Sequence, residues 1–322
     1  MKSTHFLAAL SMLLCTSRAV AQQTDIYLAD PTIYSENGTY YLYGTADGSE
    51  QGFPLYTSSN LHLWTRVSTK PTKNALLKGK HTYGSKGFWA PQVLKRNGVY
   101  YLAYTADENI AIAHSASPFG PFTQTTVAPI DEKAKKIDPF LYFDDNGKVY
   151  LYHVRFTKGN VIWVAEMKPD LSAIIDSTLK PCIQSEEAWE HTRPDLYGPV
   201  AEGPTVVKHK GTYYLFYSSN HFILPDYAVG YATAPSPTGP WAKYCGNPII
   251  SRKIVGENGS GHGDLFAGPQ GKLFYVYHTH KSDSVVNNRK TRIIPIHFVK
   301  DKSGIDKVTV DPSGIIKPVV KE

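Results

Sequence analysis

The chain has 322 residues, 42% of them hydrophobic and 19% charged, with a formal charge of +6. That length supplies a sizeable core, and the composition is that of an ordinary globular protein rather than a disordered or collagenous one. The positive charge is mild and scattered, which leaves no nucleic-acid footprint. Beyond the first 21 residues no stretch is long and apolar enough for a membrane span.

Residues 1–21 read as a signal peptide: Lys2, an apolar run from Phe6 to Leu14, and Ala19-Val20-Ala21 as a small-x-small cleavage signal. The expectation is a secreted or periplasmic protein whose residues 22–322 form one domain. Bulky Leu14 before Cys15 speaks against a lipoprotein. Processing removes Lys2 and Arg18 and no acid, so the formal charge falls from +6 to +4. The basic run Lys133 to Lys136 and the acids Glu186, Glu187 and Glu190 read as solvated segments. Cys182 and Cys245 remain; an oxidising compartment permits a bridge, two buried thiols are the alternative, and spacing alone shows no contact.

The strands follow a repeated layout. Asp30-Pro31-Thr32-Ile33-Tyr34 leads through Glu36-Asn37-Gly38 into Thr39 to Thr45. Asn-Gly between two apolar runs is a strong hairpin signal. The layout returns at Ala90-Pro91-Gln92-Val93 with Asn97-Gly98, and at Asp138-Pro139-Phe140 with Asn146-Gly147. It returns again at Glu202-Gly203-Pro204 with Gly211, and at Gly263-Asp264-Leu265 with Gln270-Gly271. A third strand and the start of a fourth follow in each copy. The first residues fall at 30, 90, 138, 202 and 263, a spacing of 48 to 64 residues. Five such units predict an all-β, five-bladed β-propeller, with a β-sandwich or barrel as the alternative. Ring closure has two candidates, Ile26-Tyr27-Leu28 and the tail after Lys300.

In a propeller the innermost strands line a channel and start at one mouth. The five first residues converge there, and three of them, Asp30, Asp138 and Glu202, are carboxylates. With 28 Asp and Glu in 322 residues, three acids in five equivalent places point to chemistry. Three carboxyls around one pocket suit glycoside hydrolysis. One protonates the leaving oxygen, one activates water, and a third raises the pKa of the proton donor. Trp89, just before the second inner strand, is placed to floor a sugar pocket, with Phe88 beside it. His262, in Gly259-Ser260-Gly261-His262-Gly263, sits where small residues let the backbone approach the channel. His191 is a weaker pocket candidate.

Asp30-Pro31-Thr32-Ile33-Tyr34, Trp89-Ala90-Pro91-Gln92-Val93, Ile137-Asp138-Pro139-Phe140 and Ala201-Glu202-Gly203-Pro204 together resemble the pattern of family 43 glycoside hydrolases, over about residues 25–300. The resemblance implies a five-bladed propeller that hydrolyses with inversion, mostly α-L-arabinofuranosides and β-D-xylosides of plant hemicellulose and pectin. It implies that Asp30 is the general base, Glu202 the general acid, and Asp138 the group that tunes Glu202 and orients the sugar. It also implies that Arg292 contacts the sugar hydroxyls or a catalytic carboxylate, and that a structural calcium ion, with no other cofactor, sits in the channel beside His262. Inversion requires the Asp30 and Glu202 carboxyls to lie roughly 6.5–9.5 Å apart. Exo cleavage of an oligo- or polysaccharide is expected. The other readings are an endo-acting arabinanase or xylanase, a retaining fructan-type hydrolase, whose Asn-Asp-Pro-Asn-Gly is replaced here by Ala29 to Ile33, and a non-catalytic sugar-binding propeller.

Overall fold

The structure is a computed structural model that describes residues 23–47, 52–67 and 81–321. The expected signal peptide, residues 1–21, lies outside the described residues, as does part of the Gly44 to Phe53 loop. After β1 (Gln23–Asp25), blade I comprises β2 (Ala29–Glu36), β3 (Thr39–Thr45), β4 (Leu55–Ser58) and β5 (Leu63–Arg66). Blade II holds β6 (Trp89–Arg96), β7 (Val99–Ala106) and β8 (Asn109–Ser115). Blade III holds β9 (Lys136–Phe143), β10 (Val149–Thr157), β11 (Gly159–Glu166) and β12 (Lys180–Ile183), and blade IV holds β13 (Ala201–His209), β14 (Thr212–Ser219), β15 (Ala228–Ala234) and β16 (Ala242–Lys243). Blade V holds β17 (Gly261–Ala267), β18 (Leu273–Thr279), β19 (Lys290–Val299) and β20 (Lys307–Val310). The one α-helix among the described residues is a single turn, α1 (Arg252–Val255).

The inner strands β2, β6, β9, β13 and β17 pack side by side in that order, and β17 returns to β2. This is the predicted five-bladed ring. In blade V the positive-φ pair Gln270-Gly271 lies within a longer loop, 268–272, but in three blades the inner hairpin turns through just two residues of positive φ: Asn37-Gly38, Asn97-Gly98 and Lys210-Gly211. That is the mirror-image turn whose twist matches paired strands. Blade II lacks the expected fourth strand. Its place is held by one bridge, His114 to Thr123, because Phe122 turns inward and is fully buried.

Both faces of each blade are covered, so the strands read as near-continuous aromatic runs instead of alternating. In β3, Tyr41 and Tyr43 pack toward blade II with Phe88 and Tyr104, while Tyr40 and Leu42 pack toward blade V with Phe266 and Val276. Comparable layers lie between blades II and III, III and IV, and IV and V. Each fully buried side chain of this size contributes roughly 1.5–3 kcal/mol. Two layers carry a polar latch: Tyr43 donates to the carbonyl of Pro118 and Tyr152 to that of Pro237, each in the last turn of the following blade.

Both closure candidates take part. β21 (Val319–Lys321) runs parallel to β5 at the outer edge of blade I and antiparallel to β1. Ile26, just past β1, accepts from the amide of Thr291 in blade V. Cys182 is half-buried on β12 and Cys245 is exposed after β16; both are free thiols, so neither a bridge nor a pair of buried thiols forms.

Candidate active site

Each inner strand begins with a bulge. The residue before the Pro of the motif, or before Gly263 in blade V, takes a left-handed conformation: φ is 47° at Asp30, 46° at Ala90, 56° at Asp138, 59° at Gly203 and 40° at His262. Strand register breaks at each of these points. The equivalent set is therefore Asp30, Ala90, Asp138, Gly203 and His262. The sequence reading placed Glu202 and Gly263 in it and was one residue out in the last two blades. Glu202 occupies the preceding place, equivalent to Trp89, and both side chains line the cleft. Gly203 cannot carry a side chain, because a Cβ there would sit 2.9 Å from the His262 ring.

A bulge frees a backbone N–H, and the neighbouring blade satisfies it. The residues cross-strand from Ala29, Trp89, Glu202 and Gly261 are Thr45, Thr105, Ser218 and His278. Each accepts from the left-handed residue of the next blade: Ala90 N–H to Thr45 (2.9 Å), Asp138 to Thr105 (3.0 Å), His262 to Ser218 (2.8 Å) and Asp30 to His278 Nδ1 (3.1 Å). In blade III the matching residue is Val154, which offers no acceptor. The Gly203 N–H instead bonds the Asp138 carboxylate at 3.1 Å. This break in the fivefold pattern fixes Asp138 against the backbone that carries Glu202.

The mouth opens into a cleft of about 530 Å³. Asp30, Asp138, Glu202, Trp89, Phe88 and His262 all line it. Trp89 is 38% exposed and presents its ring to the cleft, whereas Phe88 is buried in the blade I–II layer, stacked on Tyr104. Arg292 is elsewhere. It is buried between Glu257 (2.9 and 3.0 Å) and Asp25 (3.0 Å) and does not reach the cleft. Arg289 takes the place expected for it. Its Nη1 lies 3.3 Å from Asp30 Oδ1, its Nη2 and Nε bond Asp47 at 2.9 and 3.2 Å, and its guanidinium lies 4.8 Å above the Phe222 ring. Arg289 stands in the loop just before β19, whereas Arg292 lies within that strand and does not line the cleft.

The carboxyls sit in opposed fields. Burial alone would raise Asp30, but the charges of His262 and Arg289 and the Thr45 hydroxyl (2.7 Å) hold it well below the usual carboxylate range. His278 adds no full charge, since burial and Arg289 keep its own pKa far down. Asp138 moves the other way, pushed up to about 7 by burial and by the carboxylates of Glu202 and Asp30, against the opposing pull of His262. The His262 imidazole, with Nδ1 3.4 Å from Asp30 and 3.9 Å from Asp138, is raised by those carboxylates despite its burial. The site thus holds one firmly ionised acid, Asp30, and beside it an acid, Asp138, whose carboxyl is held up toward neutral pH.

Glu202 is held at both oxygens. Asn160 Nδ2 donates to Oε2 at 2.9 Å and the buried Tyr227 hydroxyl donates to Oε1 at 2.8 Å. Neither residue, nor Arg289 or Asp47, stood out in the sequence, because they come from hairpins and loops at no repeated position; His278 holds the repeated place of Thr45, Thr105 and Ser218, but as a different residue type. His191 bonds the Tyr197 carbonyl and does not line the cleft. Glu190 is fully buried, accepting from Tyr217, Lys243 and two backbone amides, rather than solvated. Lys136 is likewise buried, on Asp131 and two carbonyls. Around His262 the residues present do not fit a calcium cage. Among the described residues no three His, Cys, Asp or Glu side chains converge as metal ligands, whereas calcium takes about six to eight oxygens.

A channel mouth that sets one firmly ionised carboxylate beside another whose pKa is raised has the equipment of a glycoside hydrolase. The sequence matches the glycosyl hydrolases family 43 over residues 24–303, and the chain belongs to that family. Among solved structures, an endo-1,4-β-xylanase from Bacteroides thetaiotaomicron is 40% identical, with a TM-score of 0.84 over 94% of this chain and 100% of that one. Among curated relatives, β-D-galactofuranosidase xynD of Aspergillus niger is 27% identical over 84% of this chain and 80% of its own length. A xylosidase/arabinosidase of Butyrivibrio fibrisolvens is 25% identical over 78% of this chain, which spans about half (48%) of that relative's length.

Proposed function

We propose that the protein is an exported, inverting hydrolase of β-D-xylosyl or α-L-arabinofuranosyl linkages in xylan- or arabinan-type polysaccharides. Asp30 acts as general base: its carboxylate stays ionised and takes a proton from the attacking water. Glu202 acts as general acid and gives its proton to the leaving oxygen. Asp138 tunes that acid and orients the sugar. The observation that carries this reading is the opposed electrostatics of Asp30 and Asp138 within one cleft. Trp89 offers an apolar ring to a sugar face, as such sites require.

Exo cleavage is supported by the linked Asp47, Arg289 and Phe222 side chains in the lining of the cleft. Trp89 and Phe156, both exposed, line the cleft and offer apolar rings to a longer aglycone. The likeness to an endo-xylanase favours a second reading, internal cleavage along an open groove. Export rests on residues 1–21. Among the described residues no helix is long and apolar enough to cross a membrane.

A panel of aryl xylosides and arabinofuranosides with xylan and arabinan tests both readings. Single-sugar release means exo action, and a ladder of oligosaccharides means endo action. Glu202→Gln and Asp30→Asn are each expected to lower kcat by roughly 10²–10⁴ while leaving the fold intact. Near-wild-type activity in either variant would remove these assignments. NMR of the first anomer formed should show inversion; a retained anomer would rule out Asp30 as the base.

A further inference from the structure

The grip on Glu202 is built from another blade. The hairpin joining β10 to β11 reaches out of blade III and docks on the segment leading into β13. Gly159 makes the contact at φ 93°, where a Cβ would lie 2.1 Å from the Pro199 carbonyl oxygen. The Asn160 N–H bonds that same oxygen at 3.0 Å, and Asn160 forms a parallel bridge with Val200, two residues before Glu202. Hairpin and strand start are thus locked together through backbone. The consequence is side-chain placement: Asn160 Nδ2 lies 2.9 Å from Glu202 Oε2, in the cleft wall.

We infer that Asn160 is a positioning residue for the proton donor, which rests on the reading of Glu202 as the acid. An amide N–H donates at every working pH and cannot take up the proton itself. It therefore holds the Glu202 carboxyl in one rotamer through the whole cycle. It also favours the state after transfer, because its bond becomes charge-assisted, and roughly twice as strong, once Oε2 belongs to a carboxylate. An interaction stronger after proton departure than before lowers the barrier to protonating the leaving oxygen. Tyr227, fully buried, braces the other oxygen.

The test uses Asn160→Ala and two substrates with one glycone, a 2,4-dinitrophenyl glycoside and a 4-methylphenyl glycoside. Dinitrophenolate leaves without a proton; methylphenolate needs one. The variant should lose roughly 10- to 100-fold in kcat on the methylphenyl substrate and stay within about threefold on the dinitrophenyl one. Both rates come from one preparation, so their ratio does not depend on the fraction folded. The basic limb of kcat/KM should also move to higher pH, since a donor that favoured the ionised acid is gone. Equal losses on both substrates, a change in KM alone, or an unmoved basic limb would overturn the inference. A wild-type enzyme inert on both substrates would instead remove the underlying reading of Glu202.

Discussion

Arg289 sets the acid side of the pH profile. At 3.3 Å from Asp30, two unit charges attract by about 5 kcal/mol at an effective dielectric near 20, before solvation is counted. A cation at this range lowers a carboxyl by about 1–3 pH units, and since His262 remains when Arg289 is removed, the lower half of that range applies. The perturbation is Arg289→Gln combined with Asp47→Asn, so that Asp47 is not left as an uncompensated buried charge. Asp30 works ionised, and activity falls as pH drops through its pKa. Raising that pKa moves the acidic limb upward. The wild type should hold its kcat/KM well below pH 4, and the double variant should lose it about 1–2 units higher. The basic limb provides the control, because burial, His262, Glu202 and Asp30 are what shift Asp138, and Arg289 is not among them. An acidic limb in the same place in both proteins would refute the claim that Arg289 keeps the base ionised.

Two further predictions concern the scaffold. Gly203→Ala puts a Cβ 2.9 Å from the His262 ring at φ 59° and should cost roughly 1–3 kcal/mol, read as a lower Tm; an unchanged Tm would show that the bulge relaxes. Tyr152→Phe leaves the buried Pro237 carbonyl without its donor and should cost about 1–3 kcal/mol in denaturant unfolding, with kcat untouched. Equal stability would mean that the latch contributes nothing net.

The propeller was legible because turn chemistry repeats. Asn-Gly turns and Pro-led strands recur in order, and both express backbone geometry that the ring imposes on every blade. Asp30, Asp138, Trp89 and His262 were legible for the same reason. The one-residue offset at Glu202 arose from aligning on acids; aligning on Pro31, Pro91, Pro139 and Pro204 puts Gly203 in the left-handed place. Asn160, Tyr227 and Arg289 were not legible, since each reaches the site from a loop or hairpin whose direction depends on packing between blades. Arg292 misled because it lies within β19, while the arginine that reaches Asp30, Arg289, stands in the loop before that strand. Glu190 misled because its partners Tyr217 and Lys243 lie 27 and 53 residues away, and their arrival turns a surface-like acid into a buried one.

The strand that closes the ring has a practical corollary. Gln23 and Lys321 are cross-strand partners, so the ends of the described chain are hydrogen-bonded neighbours on the rim of blade I. A linker of a few residues could fuse them, since paired strands run only about 5 Å apart. The fused chain could then be reopened at Asn97-Gly98 or Lys210-Gly211, turns at the far ends of inner strands that begin at the cleft. A circular permutant made this way would carry new ends, free for tethering to a surface or a second enzyme, on the side of the disc away from substrate.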